Sequence, residues 1–595
     1  MKRGGKLLYV WLSLLLLVGC ESGSLAQDDF VIQIQSLGES SSKLRIDDAI
    51  LQQMNNDSPA IDVLLVFDEG INVDEESYTY QFIADEESSG NGKYYFNDKI
   101  MDDHDVEALN KIILSERDKA IAATKKLRQQ IINDLKNAYG LKINSNLENE
   151  FINSYEPLAL TISKTELEAL TEYPILLGIE APKIGSATIV SAMNATGVIK
   201  SFSNIYNRQG DDVGVFVGEW DGCPPNSYST NYSKLVSGDP DDTHGRMVVG
   251  ILRNVSPLST IYCRARTSLN STNHFPKPAD IGSSAHTPPI FISNHSFGYF
   301  SSNYDSYDKM LDDLAYNQGI TSVVAAGNEG NTTGYIRSPG HGLNVITVGN
   351  YNDNNNQPNL FEINSSSSYL PAPDTKNIKP ELSAPGTGIT LPGFLSVSGT
   401  SMTCTGTSCA APHVAGMLAN QNSHWSTPNY ASFTPALAKS LIMQGATDSV
   451  IGGYDRVGFG GADYYRMSHV YAYWWHKGNY NSLDAADNSP NNGMIDTYLN
   501  LTATSGKARA VVSWVTRGSW TYAHRNDSFP IGSEYRFRVY DPGGNQIAGG
   551  WNRYNGFMVL DFNVNTTGVY HFTIERMALR DTAYPSLNMA VSIYK

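Results

Sequence analysis

Gly406-Thr407-Ser408-Cys409-Ala410-Ala411-Pro412-His413-Val414-Ala415-Gly416 sets a serine behind a glycine and ahead of a run of small apolar residues. Gly406 and Thr407 allow a tight approach to Ser408, and Ala410 to Leu418 reads as a helix that begins at this serine. A helix N-terminus gathers unbonded N–H groups, so negative charge developing beside Ser408 would be stabilised there. A serine hydroxyl is a weak nucleophile until a base takes its proton. A serine hydrolase therefore needs a histidine, an acid and oxyanion donors as well.

All three are present upstream. Thr243-His244-Gly245-Arg246-Met247-Val248-Val249-Gly250 offers His244 at the head of a helical pattern. Gly210-Asp211-Asp212-Val213-Gly214-Val215-Phe216-Val217-Gly218-Glu219 is a β-branched strand ending in a carboxylate, with Asp221 two residues on. Val323-Val324-Ala325-Ala326-Gly327-Asn328-Glu329-Gly330 places Asn328 directly after a strand. Together these runs resemble the motifs of the subtilisin family of serine proteases. The Ser408 run fits the family's serine motif and departs from the commoner Met only at Cys409. The His244 run keeps the first His, both Gly and one Val, while the Asn328 run matches the oxyanion motif closely. Lys379-Pro380-Glu381-Leu382-Ser383-Ala384-Pro385-Gly386, ahead of the serine motif, extends the resemblance.

The resemblance implies an acid–His–Ser order, with Ser408 as nucleophile, His244 as general base and Asn328 as oxyanion donor. It leaves the acid between Glu219 and Asp221. Were Asp221 the acid, Glu219 would occupy a strand position that is normally buried and apolar, where an unpaired carboxylate costs several kcal/mol. Burial thus favours Glu219. The family binds extended peptide along a strand, and Ser296, Phe297 and Gly298 in Asn294-His295-Ser296-Phe297-Gly298 stand at the corresponding place, with Ala326 and Gly327 also assigned to substrate. Ser398-Gly399-Thr400-Ser401-Met402 repeats part of the serine motif without its Ala-x-Pro-His-Val-Ala-Gly continuation, so Ser401 reads as a decoy.

The fold class expected is α/β, a subtilisin-like, mainly parallel sheet wrapped by helices over residues 191–470, with short apolar strands at 213–217, 260–262, 290–293, 322–326 and 345–348. Before it, residues 60–187 read as a small α+β domain similar to the family's propeptide. It comprises a strand at 61–67, a helix from Asp105 to Tyr139 stopped by Gly140, and a strand, a Ser163-capped helix and a second strand at 175–179. After it, residues 490–595 show period-two alternation and turn signals, as in Asp541-Pro542-Gly543-Gly544, and read as an all-β sandwich.

Of 595 residues, 43 are basic and 60 acidic, a formal charge of −17. With no basic run beyond the N-terminus, no nucleic-acid partner is expected. Met1-Lys2-Arg3-Gly4-Gly5-Lys6 followed by an apolar stretch from Leu7 to Val18 has a signal-peptide layout for residues 1–20, and Leu17-Val18-Gly19-Cys20 resembles a lipoprotein lipobox. The expectation is an exported protein, either held at a membrane by lipid on Cys20 through a polar tether at 21–59 or secreted after an ordinary signal peptide, acting on protein or peptide substrates and on its own propeptide. Cys223, Cys263, Cys404 and Cys409 remain, and three pairings satisfy them. Cys404 with Cys409 would brace the nucleophile loop, leaving Cys223 with Cys263; reduced, packed cysteines are the other reading. No cofactor is required for the chemistry. Structural calcium is common in the family, yet neither Asp241-Asp242 nor Asn352-Asp353-Asn354-Asn355-Asn356 forms a recognisable loop, so no metal is assigned. Two rival readings are an acid-acting sedolisin-like peptidase, invited by Glu219, and a weakly active or inactive subtilisin fold that binds peptide.

Overall fold

The computed structural model describes residues 44–594 apart from 56–59, 70–77, 85–91, 97–98, 101–102, 154–156, 181–184, 187–208, 229–230, 267–273, 283–284, 354–360, 392–401, 424–432, 480–493, 505, 583 and 585. The signal and lipidation assignments at 1–20, Cys20 included, and the decoy Ser401 lie outside the described residues.

The first module is a four-stranded sheet in the order β1-β7-β2-β6, formed by β1 (Arg45–Ile46), β2 (Ile61–Phe67), β6 (Leu158–Ile162) and β7 (Leu176–Glu180). The Asp103–Asn137 helix accompanies it and ends just before Gly140, whose φ of +70° is the left-handed conformation that glycine tolerates. Leu127, Ile131, Ile132 and Leu135 recur at helical spacing and are buried. Ser163 caps the Lys164–Leu170 helix in a reciprocal box with Glu166. Residues 44–55, read as tether, instead contribute β1, paired in parallel with β7, and the Asp48–Asn55 helix.

Between β2 and the long helix, β3 (Tyr78–Ala84), β4 (Gly92–Phe96) and β5 (Lys99–Ile100) leave this module altogether and join the last one. After β7, a two-residue strand β8 (Gly185–Ser186) runs antiparallel to residues 298–299.

The central sheet has the order β10-β11-β9-β12-β14-β15, built from β9 (Gly214–Glu219), β10 (Tyr232–Lys234), β11 (Thr260–Ala265), β12 (Ile290–His295), β14 (Thr321–Ala325) and β15 (Ile346–Asn352). Each of these neighbours is parallel, and β17 (Leu382–Pro385) pairs in parallel with β15. Parallel neighbours require crossovers, and the helices at Thr243–Val255 and Ser306–Gln318 supply those from β10 to β11 and from β12 to β14. The Thr407–Asn422 helix is buried along nearly its whole length, and Gly416 lets it approach the Thr243–Val255 helix: a Cβ there would meet Val255 Cγ1 at 2.7 Å.

The last module is a sandwich. One sheet runs β26-β23-β28-β21-β3-β4-β5 and the other β22-β27-β24-β25, from β21 (Ala472–Asn479), β22 (Met494–Leu501), β23 (Lys507–Trp514), β24 (Ser533–Tyr540), β25 (Gln546–Trp551), β26 (Phe557–Asn563), β27 (Gly568–Leu579) and β28 (Ser586–Tyr594). Trp474, Val512 and Val591 of the first sheet share a core with Leu499, Phe537 and Phe572 of the second. The sandwich therefore begins before residue 490, at β21, and borrows three strands from the region assigned to the propeptide-like domain. Alternation along a strand reports which faces are buried, not which distant strand it will pair with.

Central sheet and sandwich meet at a buried charge. Glu381 is fully buried, accepts the Thr347 N–H at 2.8 Å and pairs with Lys379 at 2.9 Å and with Lys439 of the Pro435–Gly445 helix at 2.7 Å. Lys439 also lies over the Phe557 ring of the sandwich. Burial pulls the Lys379 ammonium down to about 8 against the opposing pull of Glu381. Glu381→Ala strands two buried cations, and urea unfolding should show a loss of roughly 3–5 kcal/mol; an unchanged midpoint would contradict this account.

Candidate active site

Strand β9 carries Glu219 as its last residue, and the Thr243–Val255 helix carries His244 in its first turn. The two meet through His244 Nδ1 and Glu219 Oε2 at 2.8 Å, with both side chains essentially sealed from solvent. A close approach makes the meeting feasible: a Cβ on Gly245 would lie 2.1 Å from the Gly222 carbonyl oxygen, so the helix start can rest on the loop after β9 only with glycine there. Asp221, the alternative acid, is exposed and acts on His244 only through space.

Asp242 is a member of this group that sequence reasoning passed over as an acid. It caps the helix, accepting the His244 N–H at 2.5 Å and the Gly245 N–H at 3.4 Å. The signal was legible as an Asp two residues before a His that opens a helix. Burial pulls the His244 imidazole down, but the Glu219 charge and hydrogen bond, then Asp242 and Asp221, outweigh it and leave the imidazole above its ordinary range. Glu219 is pushed up by burial, and His244 opposes that shift. The direction that governs the pair is that of the imidazole, because three carboxylates face it and no cation is prominent. His244 Nε2 and Glu219 Oε1 are buried without a hydrogen-bond partner among the described residues; an imidazole whose second nitrogen is unbonded is available to a further group.

Ser408 stands in the first turn of the Thr407–Asn422 helix, whose start at Gly406 has no side-chain cap. Pro412 removes the amide that would otherwise bond the Ser408 carbonyl. Asn328 follows β14, and its Oδ1 accepts from Thr407 N at 3.0 Å and Thr407 Oγ1 at 3.3 Å. The Asn328 amide lies beside the serine turn: a point at the Cβ position of Gly406 is 3.3 Å from Asn328 Nδ2, 3.4 Å from Asn328 Oδ1 and 3.5 Å from Ser408 Oγ. Thr407 also accepts the Gly327 N–H at 3.0 Å and so ties both loops together. A disulfide joins Cys404 of β19 (Met402–Thr405) to Cys409, spanning the serine, and a second joins Cys223 to Cys263.

The residues assigned to substrate fall in two groups. Gly298, with Tyr299, forms β13, whose edge is taken by Ser186 and Gly185 of β8. Ser296 Oγ accepts from Asn294 Nδ2 at 2.9 Å, and Phe297 is buried among Trp220, His274, Phe275 and Tyr299. Ala326 and Gly327 are buried with their carbonyls accepting from Arg337 N and Ser368 N. Neighbouring His295 bonds Ser293 Oγ, and burial holds it down at about 3, which keeps it neutral and outside the group. Ser408 is 1% exposed and His244 0%, so both residues are buried. Among the described residues, no group of three or more His, Cys, Asp or Glu is arranged to hold a metal, and no helix is long and apolar enough to cross a membrane.

Residues 225–460 match the model of the subtilase family, a span that includes His244, Asn328 and Ser408 but begins after Glu219. A subtilisin-like protease of Coccidioides posadasii is 31% identical over 137 residues, 23% of this chain and 30% of that protein. A cuticle-degrading serine protease of Arthrobotrys oligospora is 31% identical over 150 residues, 25% of this chain and 33% of that protein. The chain thus spans about a third of the length of the curated relatives it matches. Among solved structures, the prenylagaramide maturation protease PagA is 19% identical with a TM-score of 0.36, covering 46% of this chain and 97% of its own.

Asp242 separates capping from charge. Asp242→Asn keeps a capping oxygen and should leave the thermal midpoint unchanged while lowering the His244 pKa, read by NMR of ring-labelled histidine. Asp242→Ala should in addition cost about 1 kcal/mol of stability. A His244 titration unmoved in Asp242→Asn would refute the electrostatic role.

Proposed function

We propose, for a chain whose residues 225–460 belong to the subtilase family, that the protein is a serine endopeptidase in which Ser408 attacks the scissile carbonyl and His244 takes its proton. Glu219 accepts the other imidazole N–H and stabilises the imidazolium, while Asn328 Nδ2 and the N–H groups opening the Thr407–Asn422 helix hold the oxyanion. On collapse the C–N bond breaks and His244 returns the proton to the leaving amine; water then repeats the cycle on the acyl-serine. The observation that carries this reading is the buried 2.8 Å Glu219–His244 contact, which gives a reason for a carboxylate at a sealed strand end. A carboxylate bonded to imidazole is what a histidine base needs, and this favours a neutral pH optimum over acid-acting chemistry.

The N-terminal module is read as an inhibitory propeptide. Support comes from β8, which occupies the edge of β13 in antiparallel pairing, the manner in which an extended substrate would add. The closed Ser408 and His244 fit a latent state. Protein or peptide chains are the proposed substrates. Export with lipid on Cys20 is proposed from the N-terminal motif, and two disulfides accord with an oxidising compartment.

Ser408→Ala should abolish casein hydrolysis and fluorophosphonate labelling, whereas Ser401→Ala should retain both. Glu219→Gln should lower kcat by about 10³- to 10⁴-fold through loss of the correct imidazole tautomer, and Asp221→Asn by no more than a few-fold. Labelling that survives Ser408→Ala, or a larger loss in Asp221→Asn than in Glu219→Gln, would overturn these assignments. Asn328→Ala should cost about 10²- to 10³-fold in kcat with little change in KM, the cost known for such donors.

A further inference from the structure

A propeptide that departs after cleavage must leave behind surfaces that are stable without it. Here the N-terminal module is built into both of the others. Strand β3 completes the sandwich sheet by lying antiparallel to β21, from Ala472 opposite Ile83 to Lys477 opposite Tyr78. The other edge of β21 is taken by β28, so β21 is an interior strand only while β3 is present.

Charge burial points the same way. Arg517, at the start of the Gly518–His524 helix inserted in the sandwich, is buried at 1% side-chain exposure and bonds Asp581 through two nitrogens, at 2.7 and 3.0 Å. Its remaining direction is met by Asp68 of the N-terminal module, itself 4% exposed. One turn on, Tyr522 donates to Glu180 Oε1 at 2.8 Å, and Ser306 of the central domain donates to Glu180 Oε2 at 2.8 Å. Glu180 ends β7, so a single carboxylate of the N-terminal module bridges the other two. On the opposite flank, Arg117 of the long helix bonds the carbonyls of Ile290 at 2.7 Å and Gln318 at 3.0 Å and lies 3.5 Å from the Phe291 ring centroid, and Glu116 pairs with Lys477 of β21 at 2.6 Å. Separation would expose an unpaired strand edge and leave several buried polar and charged groups to be rehydrated without their partners.

We propose that the N-terminal module is a permanent, non-covalently retained part of the folded protein, so that cutting the chain between residues 187 and 208 yields a stable two-chain molecule. Release of the site then needs only β8 to leave β13, while the body of the module stays. That last consequence rests on the protease reading; retention itself does not.

The test uses the full chain with Ser408→Ala, so that self-cleavage plays no part, and a recognition site for an added sequence-specific protease placed within 187–208. After complete cutting, the two fragments should co-elute in native size-exclusion chromatography at micromolar concentration and separate only in denaturant. Separate elution under native conditions would overturn the proposal. Asp68→Asn in the same background keeps the side-chain shape but removes the charge facing Arg517, and should speed fragment dissociation at least tenfold. A dissociation rate equal to the parent's would overturn the role given to the Arg517 cluster. Because the cut is made by an added enzyme, an inactive Ser408 protein answers the question equally well.

Discussion

Parallel strand pairing is the constraint on which the site rests. Hydrogen-bonding β9, β12 and β14 side by side in one direction brings their C-terminal ends to one rim. Glu219 ends β9, the 296–298 segment leaves β12 and Asn328 follows β14. The crossovers that run through a helix deliver helix N-termini to the same rim. His244 sits in the first turn of one such helix and Ser408 in the first turn of the Thr407–Asn422 helix, and the two helices pack together where Gly416 meets Val255. Residues remote in sequence thus share a site because the backbone's bonding requirement leaves few ways to arrange them.

Buried charge is the second organising term. Removing an ion from water is costly, so each buried ion must find a partner, and the partners lie across module boundaries. Glu381 with Lys379 and Lys439 joins the central sheet to the helix beneath the sandwich. Arg517 with Asp68 and Asp581 joins the sandwich to the N-terminal sheet. The same logic within the site places Glu219 against His244, where the carboxylate both escapes isolation and raises the imidazole pKa.

Much of this was legible from residue patterns, and what was missed shares a cause. The strands at 61–67, 214–219, 290–295 and 321–325 were anticipated because apolar runs between turn signals report burial locally. Ser163 and Gly140 announced their helix ends through backbone chemistry that needs only neighbouring residues. Asp242 escaped notice as an acid because its effect depends on the distance to His244 in space. Strands β3 to β5 were placed with the wrong module because nothing in Tyr78–Ala84 specifies that its partner lies near residue 475.

By itself, the sequence determined the class of the elements that carry the motifs and the order of those motifs, since helical and strand periodicity, caps and a serine at a glycine turn are properties of short windows. It also narrowed the acid to two carboxylates, by the rule that a buried strand does not tolerate a lone one. Only tertiary structure set one of them, Glu219, against the imidazole, with Oε2 2.8 Å from His244 Nδ1. Only it paired the four cysteines and wove the first module into the last. Pairings of that kind are fixed by the summed packing of the whole core, a quantity that no local stretch of residues contains.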